Sequence, residues 1–127
     1  MADSDNLSIL LVDDHVTQRL MMSTALASAG FRIVGQAENG RDGVEKFMAH
    51  KPDITLLDIE MPVMNGISAL KEIMAADPKA FVLMMSSVGN TDIIDDCLMA
   101  GAYHYIRKDL PVNEVAPAIM DNWRKAR

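Results

Sequence analysis

The sequence predicts an α/β fold: a doubly wound, five-stranded parallel sheet flanked by five helices. Three observations carry that prediction. Short apolar runs and helical stretches alternate five times, at the spacing of roughly 20 to 25 residues typical of βα units in a parallel sheet. The apolar runs stop abruptly at polar or turn residues, as buried strands do. Glycine or proline punctuates most of the helical stretches, and right-handed crossovers then place helices on both faces of the sheet.

The elements follow in order. Ser8-Ile9-Leu10-Leu11-Val12 is the first apolar run, and it ends in Asp13-Asp14. A helix follows from Val16 to Ala29, with Leu20, Met21, Thr24, Ala25 and Ala27 to Ala29 as its packing stripe and Gly30 closing it. Phe31 to Ala37 alternates in polarity and reads as a second strand near an edge. Gly40 to His50 is a helix with Val44, Phe47 and Met48 facing inward. Lys51-Pro52-Asp53 then turns the chain into the strand Ile54 to Leu57.

That third strand delivers Asp58 at its carboxyl end, where parallel sheets bind ligands. Met61-Pro62-Val63-Met64-Asn65-Gly66 breaks it, and Ile67 to Ala76 is the next helix, ended by Asp77-Pro78-Lys79. Ala80 to Met85 is the fourth strand and stops at Ser86-Ser87. Asn90 or Thr91 caps a helix reaching Ala100, which Gly101 ends. Tyr103 to Arg107 is the fifth strand, followed by Lys108. Pro111 opens a last helix whose inner stripe is Val115, Ile119 and Trp123, with Arg124, Lys125 and Arg127 at its end, as the helix dipole favours.

With 127 residues, no linker and no low-complexity tract, the chain reads as a single domain over residues 1–127 (core about 7–126) without an output domain. A net charge of −6 argues against nucleic acid as a partner. The single cysteine, Cys97, excludes an intrachain disulfide and suits a reducing cytoplasm. The acidic, polar start lacks a signal segment, and no apolar run approaches the roughly 20 residues of a membrane span.

Chemistry gathers at one edge. Asp13-Asp14, Asp58 and Lys108 end three different strands, and Ser86 ends a fourth. In a parallel sheet those ends share one edge. Carboxylates crowded there repel one another and call for a cation. Oxygen ligands favour a hard divalent ion, and Mg2+ keeps ligand positions open for a phosphoryl group. A neighbouring lysine and a hydroxyl complete the inventory of a phosphoryl-transfer site.

Leu10-Leu11-Val12-Asp13-Asp14, then Asp58 through Met61-Pro62 to Asn65-Gly66, Ser86, Tyr105 and Lys108 resemble the receiver domain of two-component response regulators, of the stand-alone CheY-like kind. The likeness covers essentially the whole chain. Each motif alone is weak, whereas their order and spacing are specific. The resemblance, rather than any feature of spacing or periodicity, implies the flavodoxin-like strand order 2-1-3-4-5. It also implies that Asp58 accepts a phosphoryl group from a sensor histidine kinase or a histidine phosphotransfer protein. On the same basis Asp13, Asp14, Asp58 and the backbone carbonyl of Glu60 serve Mg2+, with Asp13 acting largely through water. Lys108 and Ser86 would hold the phosphoryl oxygens. Movement of Ser86 and Tyr105 would switch the surface of the fourth helix, fifth strand and fifth helix, for an unknown downstream protein target or a homodimer formed on activation.

Blander readings stand beside these. Asp13-Asp14 could be the polar opening of a helix, and Asp58 a solvated turn residue; their convergence with Lys108 argues otherwise. Either Ser86 or Ser87 could serve, and Tyr105 could be a plain strand aromatic. His15, His50 and His104 lack metal-ligand spacing, and only His15 adjoins the acidic pair. Asp109 follows Lys108 where many receivers carry proline, which leaves that peptide bond cis or trans. Glu60 and Val88, each two residues past a site residue, are expected to set the lifetime of the phosphorylated form. Rival functions are a phosphate-independent interaction module and a Mg2+-dependent aspartyl phosphohydrolase. The latter usually needs Asp-x-Asp on its first strand and a cap insertion, where this chain has Asp58-Ile59-Glu60 on the third and no insertion. A turnover enzyme is therefore not expected.

Overall fold

A computed structural model describes residues 6–61, 63–87 and 91–127. Pro62, Val88 and Asn90, to which the sequence assigned a turn, a tuning role and a cap, lie outside them. Ten elements alternate: β1 (Ser8–Val12), α1 (Val16–Ser28), β2 (Arg32–Ala37), α2 (Gly40–His50), β3 (Ile54–Asp58), α3 (Gly66–Ala76), β4 (Val82–Ser86), α4 (Thr91–Met99), β5 (His104–Arg107) and α5 (Val112–Lys125). The five strands pair in parallel in the order β2-β1-β3-β4-β5, as the family resemblance implied. β2 occupies an edge, in keeping with its alternation.

Alternating side chains on each strand point to opposite faces, so the sheet carries two cores. Leu10, Val12, Leu57, Val82 and Met84 pack on one face with Phe47 of α2, Leu70 and Ile73 of α3 and Ile94 of α4. Ile9, Leu11, Leu56, Leu83 and Met85 pack on the other with Met22 and Leu26 of α1 and Val115 and Ile119 of α5. Burial on both faces explains why β1, β3 and β4 read as continuous apolar runs.

Local signals set the ends of the helices. The Asn39 side chain accepts from the Asp42 N–H at 2.8 Å, and Asn65 does the same for Ser68 at 3.0 Å, capping α2 and α3. Gly30 and Gly101 take φ of 102° and 118° just past α1 and α4, where a side chain would be strained. Asp53 clamps the start of β1 beside β3: its carboxylate accepts from the Ser8 N–H and hydroxyl, while its own N–H donates back to Ser8 Oγ.

Two packing expectations are corrected. In α1 the buried residues are Met22 and Leu26, whereas Leu20 and Met21 are 52% and 54% exposed. The apolar residues of this helix surround it, so periodicity alone could not tell which of them the sheet would cover. In α2, Val44 and Phe47 face inward but Met48 is 39% exposed. Boundaries moved by one or two residues, with β4 running Val82–Ser86 and so including the serine expected just beyond it. No peptide bond among the described residues is cis, so Asp109 follows Lys108 in trans.

Candidate functional site

The carboxyl ends of β1 and β3 lie side by side because these strands pair from Ile9↔Ile54 to Val12↔Leu57. One residue further, Asp13 and Asp58 stand at the same sheet edge, and both are 1% exposed. Asp14 is half-buried beside them, and ligand-capable atoms of Asp13, Asp14, His15 and Asp58 all lie within 4.8 Å of one another. Such crowding of acids needs compensation. Lys108, arriving from β5, supplies part of it: its Nζ donates to Asp58 Oδ2 at 2.7 Å. The Glu60 N–H donates to Asp58 Oδ1 at 3.3 Å.

Burial dominates the electrostatics of Asp58. It raises the pKa from the ordinary 3.8 to about 6, against the lowering effects of the Lys108 hydrogen bond and charge; the Asp13 charge adds to the rise, and the Glu60 N–H opposes it. Asp58 is thus a buried carboxyl whose pKa competing influences set at about 6, a common signature of functional sites.

Asp13 is fixed by its N–H to the Ala37 carbonyl at 3.0 Å and by the His15 N–H, which donates to its Oδ1 at 2.9 Å. Its Oδ2 and the Oδ1 of Asp14 are buried without a hydrogen-bond partner among the described residues. Carboxylate oxygens clustered this closely without hydrogen-bond donors fit a hard divalent cation, so the donor set suits Mg2+. The loop after β3 is shaped by Gly66, whose N–H donates to the Ile59 carbonyl at 2.8 Å. A Cβ there would lie 2.1 Å from the backbone oxygen of Asp58, so only glycine allows the loop to fold back so closely on Asp58.

The structure therefore brings together Asp13, Asp14, Asp58 and Lys108, with the Glu60 N–H against Asp58. Two other sequence-predicted residues stand differently. The Ser86 hydroxyl, though buried, donates to the Ser87 carbonyl at 3.0 Å. Tyr105 is half-buried and packs against the core that includes Ile94 and Cys97 of α4. His15, the single histidine flagged as adjoining the site, places Nδ1 3.3 Å from Asp13 Oδ1 and 3.1 Å from Asp14 Oδ1.

Sequence reasoning missed two features. Arg19 donates from Nη1 to the Asp13 carbonyl at 2.5 Å; its only signal was a position one turn into α1. A cavity of about 460 Å3 also opens beside Lys108, walled by Met21, Met22, Met85, Ile106 and Val115.

The family model described as "Response regulator receiver domain" matches residues 9–120. The chain belongs to that family. As a receiver it is 40% identical over 111 residues to the chemotaxis protein CheY of Thermotoga maritima and 42% identical over 111 residues to that of Bacillus subtilis. Each match covers 87% of this receiver and 92% of its relative. Among solved structures, it resembles a chain of the CheX–CheY–BeF3–Mg2+ complex from Borrelia burgdorferi, with a TM-score of 0.87 and 36% identity over 94% of this receiver and 90% of that chain. The response regulator domain of Thermotoga maritima CheB superposes with a TM-score of 0.85 and 36% identity, covering 95% and 96% of the two chains.

Proposed function

We propose that this receiver is a phosphorylation-dependent switch in which Asp58 accepts a phosphoryl group from the phosphohistidine of a sensor histidine kinase or a histidine phosphotransfer protein. The observation that carries this reading is the pairing of Asp58 with Lys108 beside Asp13 Oδ2 and Asp14 Oδ1, buried carboxylate oxygens without a hydrogen-bond partner among the described residues. A carboxylate oxygen of Asp58 forms the new bond to phosphorus as the bond to the imidazole nitrogen of the donor breaks. Lys108, already at 2.7 Å from Asp58, is placed to follow the charge onto the phosphoryl oxygens. Asp13, Asp14, Asp58 and the Glu60 carbonyl would hold Mg2+, which when bound neutralises charge on the transferring group. That Mg2+ and BeF3 accompany the Borrelia burgdorferi structure supports an ion in this pocket.

Docking of a phosphodonor protein is supported by the exposed apolar residues Val16, Leu20 and Met21 on α1, the last of which lines the cavity beside Lys108. Output would use the face of α4, β5 and α5. On α4, Leu98 is 38% and Met99 87% exposed, and Tyr105 packs against the core that α4 helps to form. The switch would require Ser86 to leave the Ser87 carbonyl for the phosphoryl group, and Tyr105 to turn inward. CheX in the Borrelia burgdorferi complex supports a protein target; pairing with a second copy on activation is the other use of this face. No helix among the described residues is long and apolar enough to cross a membrane, and the cytoplasm is the proposed place of work. The domain turns over no external substrate on this reading.

Intact mass after incubation with acetyl phosphate, with and without Mg2+, tests the proposal. One labile phosphoryl group is expected, dependent on Mg2+ and lost in Asp58→Asn. A folded protein that gains none would be a phosphate-independent interaction module; steady hydrolysis of a phosphate ester would instead favour the phosphohydrolase.

A further inference from the structure

Asp13 stands one residue past the end of β1, whose pairing with both neighbours finishes at Val12. Its N–H still reaches Ala37 on β2, but its carbonyl has run beyond the sheet and needs a donor from elsewhere. Arg19 supplies one. The first turn of α1 closes with the Arg19 N–H donating to the His15 carbonyl at 2.9 Å, which brings the side chain back over the strand end. The guanidinium then forks: Nη1 donates to the Asp13 carbonyl at 2.5 Å and Nε to Gln36 Oε1 at 3.2 Å. Gln36 is itself braced, its Nε2 donating to Ser23 Oγ at 3.3 Å and its carbonyl accepting from Lys46 Nζ.

The Asp13 peptide is therefore held at three points: N–H by β2, carbonyl by Arg19, and Oδ1 by the His15 N–H. Among the described residues its Oδ2 is left without a hydrogen-bond partner, in a cluster of acids whose repulsion would otherwise swing the chain outward. We infer that Arg19, braced by Gln36, is a positioning residue that holds the Asp13–Asp14 carboxylates in the arrangement that binds a divalent cation. The inference rests on the proposed Mg2+ site. Interactions behind metal ligands typically alter affinity about 10- to 100-fold. Lysine cannot replace the arginine, because a single ammonium does not span the carbonyl and Gln36 as the planar fork does.

Charge makes the test sharp. Removing a cation near a Mg2+ site should, by Coulomb's law alone, tighten Mg2+ binding. Titration of the full chain with Mg2+ alone, followed by calorimetry and by amide shifts of residues 13–15, should instead show Arg19→Met weakened about 10-fold. Arg19→Lys should weaken by a similar factor despite keeping its charge. Gln36→Leu, which leaves Arg19 in place, should weaken binding in the same direction by less, about 3-fold, and remains informative if the Arg19 variants fail to fold. Thermal unfolding in EDTA is recorded in parallel. Variants that lose stability while keeping the parent's Mg2+ affinity would reduce Arg19 to a structural role and overturn the inference. So would tighter binding in Arg19→Met. A parent protein that binds no Mg2+ would remove the proposed ion site and this inference with it, whereas a parent that binds while the variants match it removes only the inference.

Discussion

Lys108 Nζ lies 2.7 Å from Asp58 Oδ2 across 50 residues of sequence, reaching from the end of β5 past β4 to the end of β3. This contact opposes the burial that dominates the behaviour of the carboxylate. Burial alone would drive Asp58 strongly toward its neutral form, and the lysine pulls it back until its pKa stands at about 6. Asp58 is consequently ionised at neutral pH, with a cation held against it.

The raised pKa has a direct thermodynamic sign. Between its ordinary 3.8 and about 6, Asp58 binds more proton in the folded than in the unfolded state. The stability this proton contributes is complete below 3.8 and is lost as pH rises through about 6. At pH 7.5 the buried charge costs on the order of 3 kcal/mol. Asp58→Asn should therefore stabilise the metal-free protein at pH 7.5, and the gain should fade towards pH 4. Urea unfolding of parent and variant in EDTA at several pH values checks this, since the difference between them isolates Asp58. A gain that is flat across that range would refute it.

Replacing Lys108 leaves the same carboxylate without its nearest cation. Lys108→Met should destabilise the metal-free protein by about 2 kcal/mol at pH 7.5, since an orphaned buried charge is more costly than a lost surface pair. The loss should shrink towards pH 5, where Asp58 is protonated in both proteins. Mg2+ should restore more stability to the variant than it adds to the parent, because it would stand in for the missing charge. Melting temperatures with EDTA and with Mg2+ read both effects.

Much of this arrangement is legible in the sequence because parallel strands put their carboxyl ends on one edge. Asp13, Asp14, Asp58 and Lys108 meet as their strand-end positions require, and β1 (Ser8–Val12) and α2 (Gly40–His50) keep the bounds read from the sequence. What was not legible depends on rotation and reach. Leu20 and Met21 looked like core, yet the rotation of α1 buries Met22 and Leu26 instead and turns the others outward beside the site. Arg19 could not be foreseen as a brace because its partners come from two other elements, the end of β1 and Gln36 on β2. Nor does sequence show which acceptor the Ser86 hydroxyl takes; a backbone carbonyl next door satisfies it here.

Val63 sits in the loop after Asp58 with φ of 69° and 81% of its surface exposed. A β-branched residue in the left-handed region is strained, and an exposed side chain recovers little by packing. Val63→Gly should relieve that strain and stabilise the protein by about 1 kcal/mol. Urea unfolding at pH 7.5 measures it, and unchanged or lower stability would mean that the valine side chain packs well enough to offset its backbone.

Thr55 occupies the middle of β3, paired with Leu10 on one side and Val82 on the other, and is 1% exposed. Its N–H donates to the Phe81 carbonyl at 3.0 Å, but its hydroxyl has no partner among the described residues. A hydroxyl buried without a hydrogen bond costs about 1–3 kcal/mol relative to water. Valine has nearly the same shape and keeps the β-branch that suits a central strand. Thr55→Val should accordingly stabilise the receiver by about 1 kcal/mol, raising the melting temperature by about 3–5 °C for a domain of this size. The urea dependence of unfolding should keep its slope, because the surface exposed on unfolding is unchanged. A destabilised variant would show that the hydroxyl is satisfied in solution by a bound water, which the valine would displace without replacing its hydrogen bond.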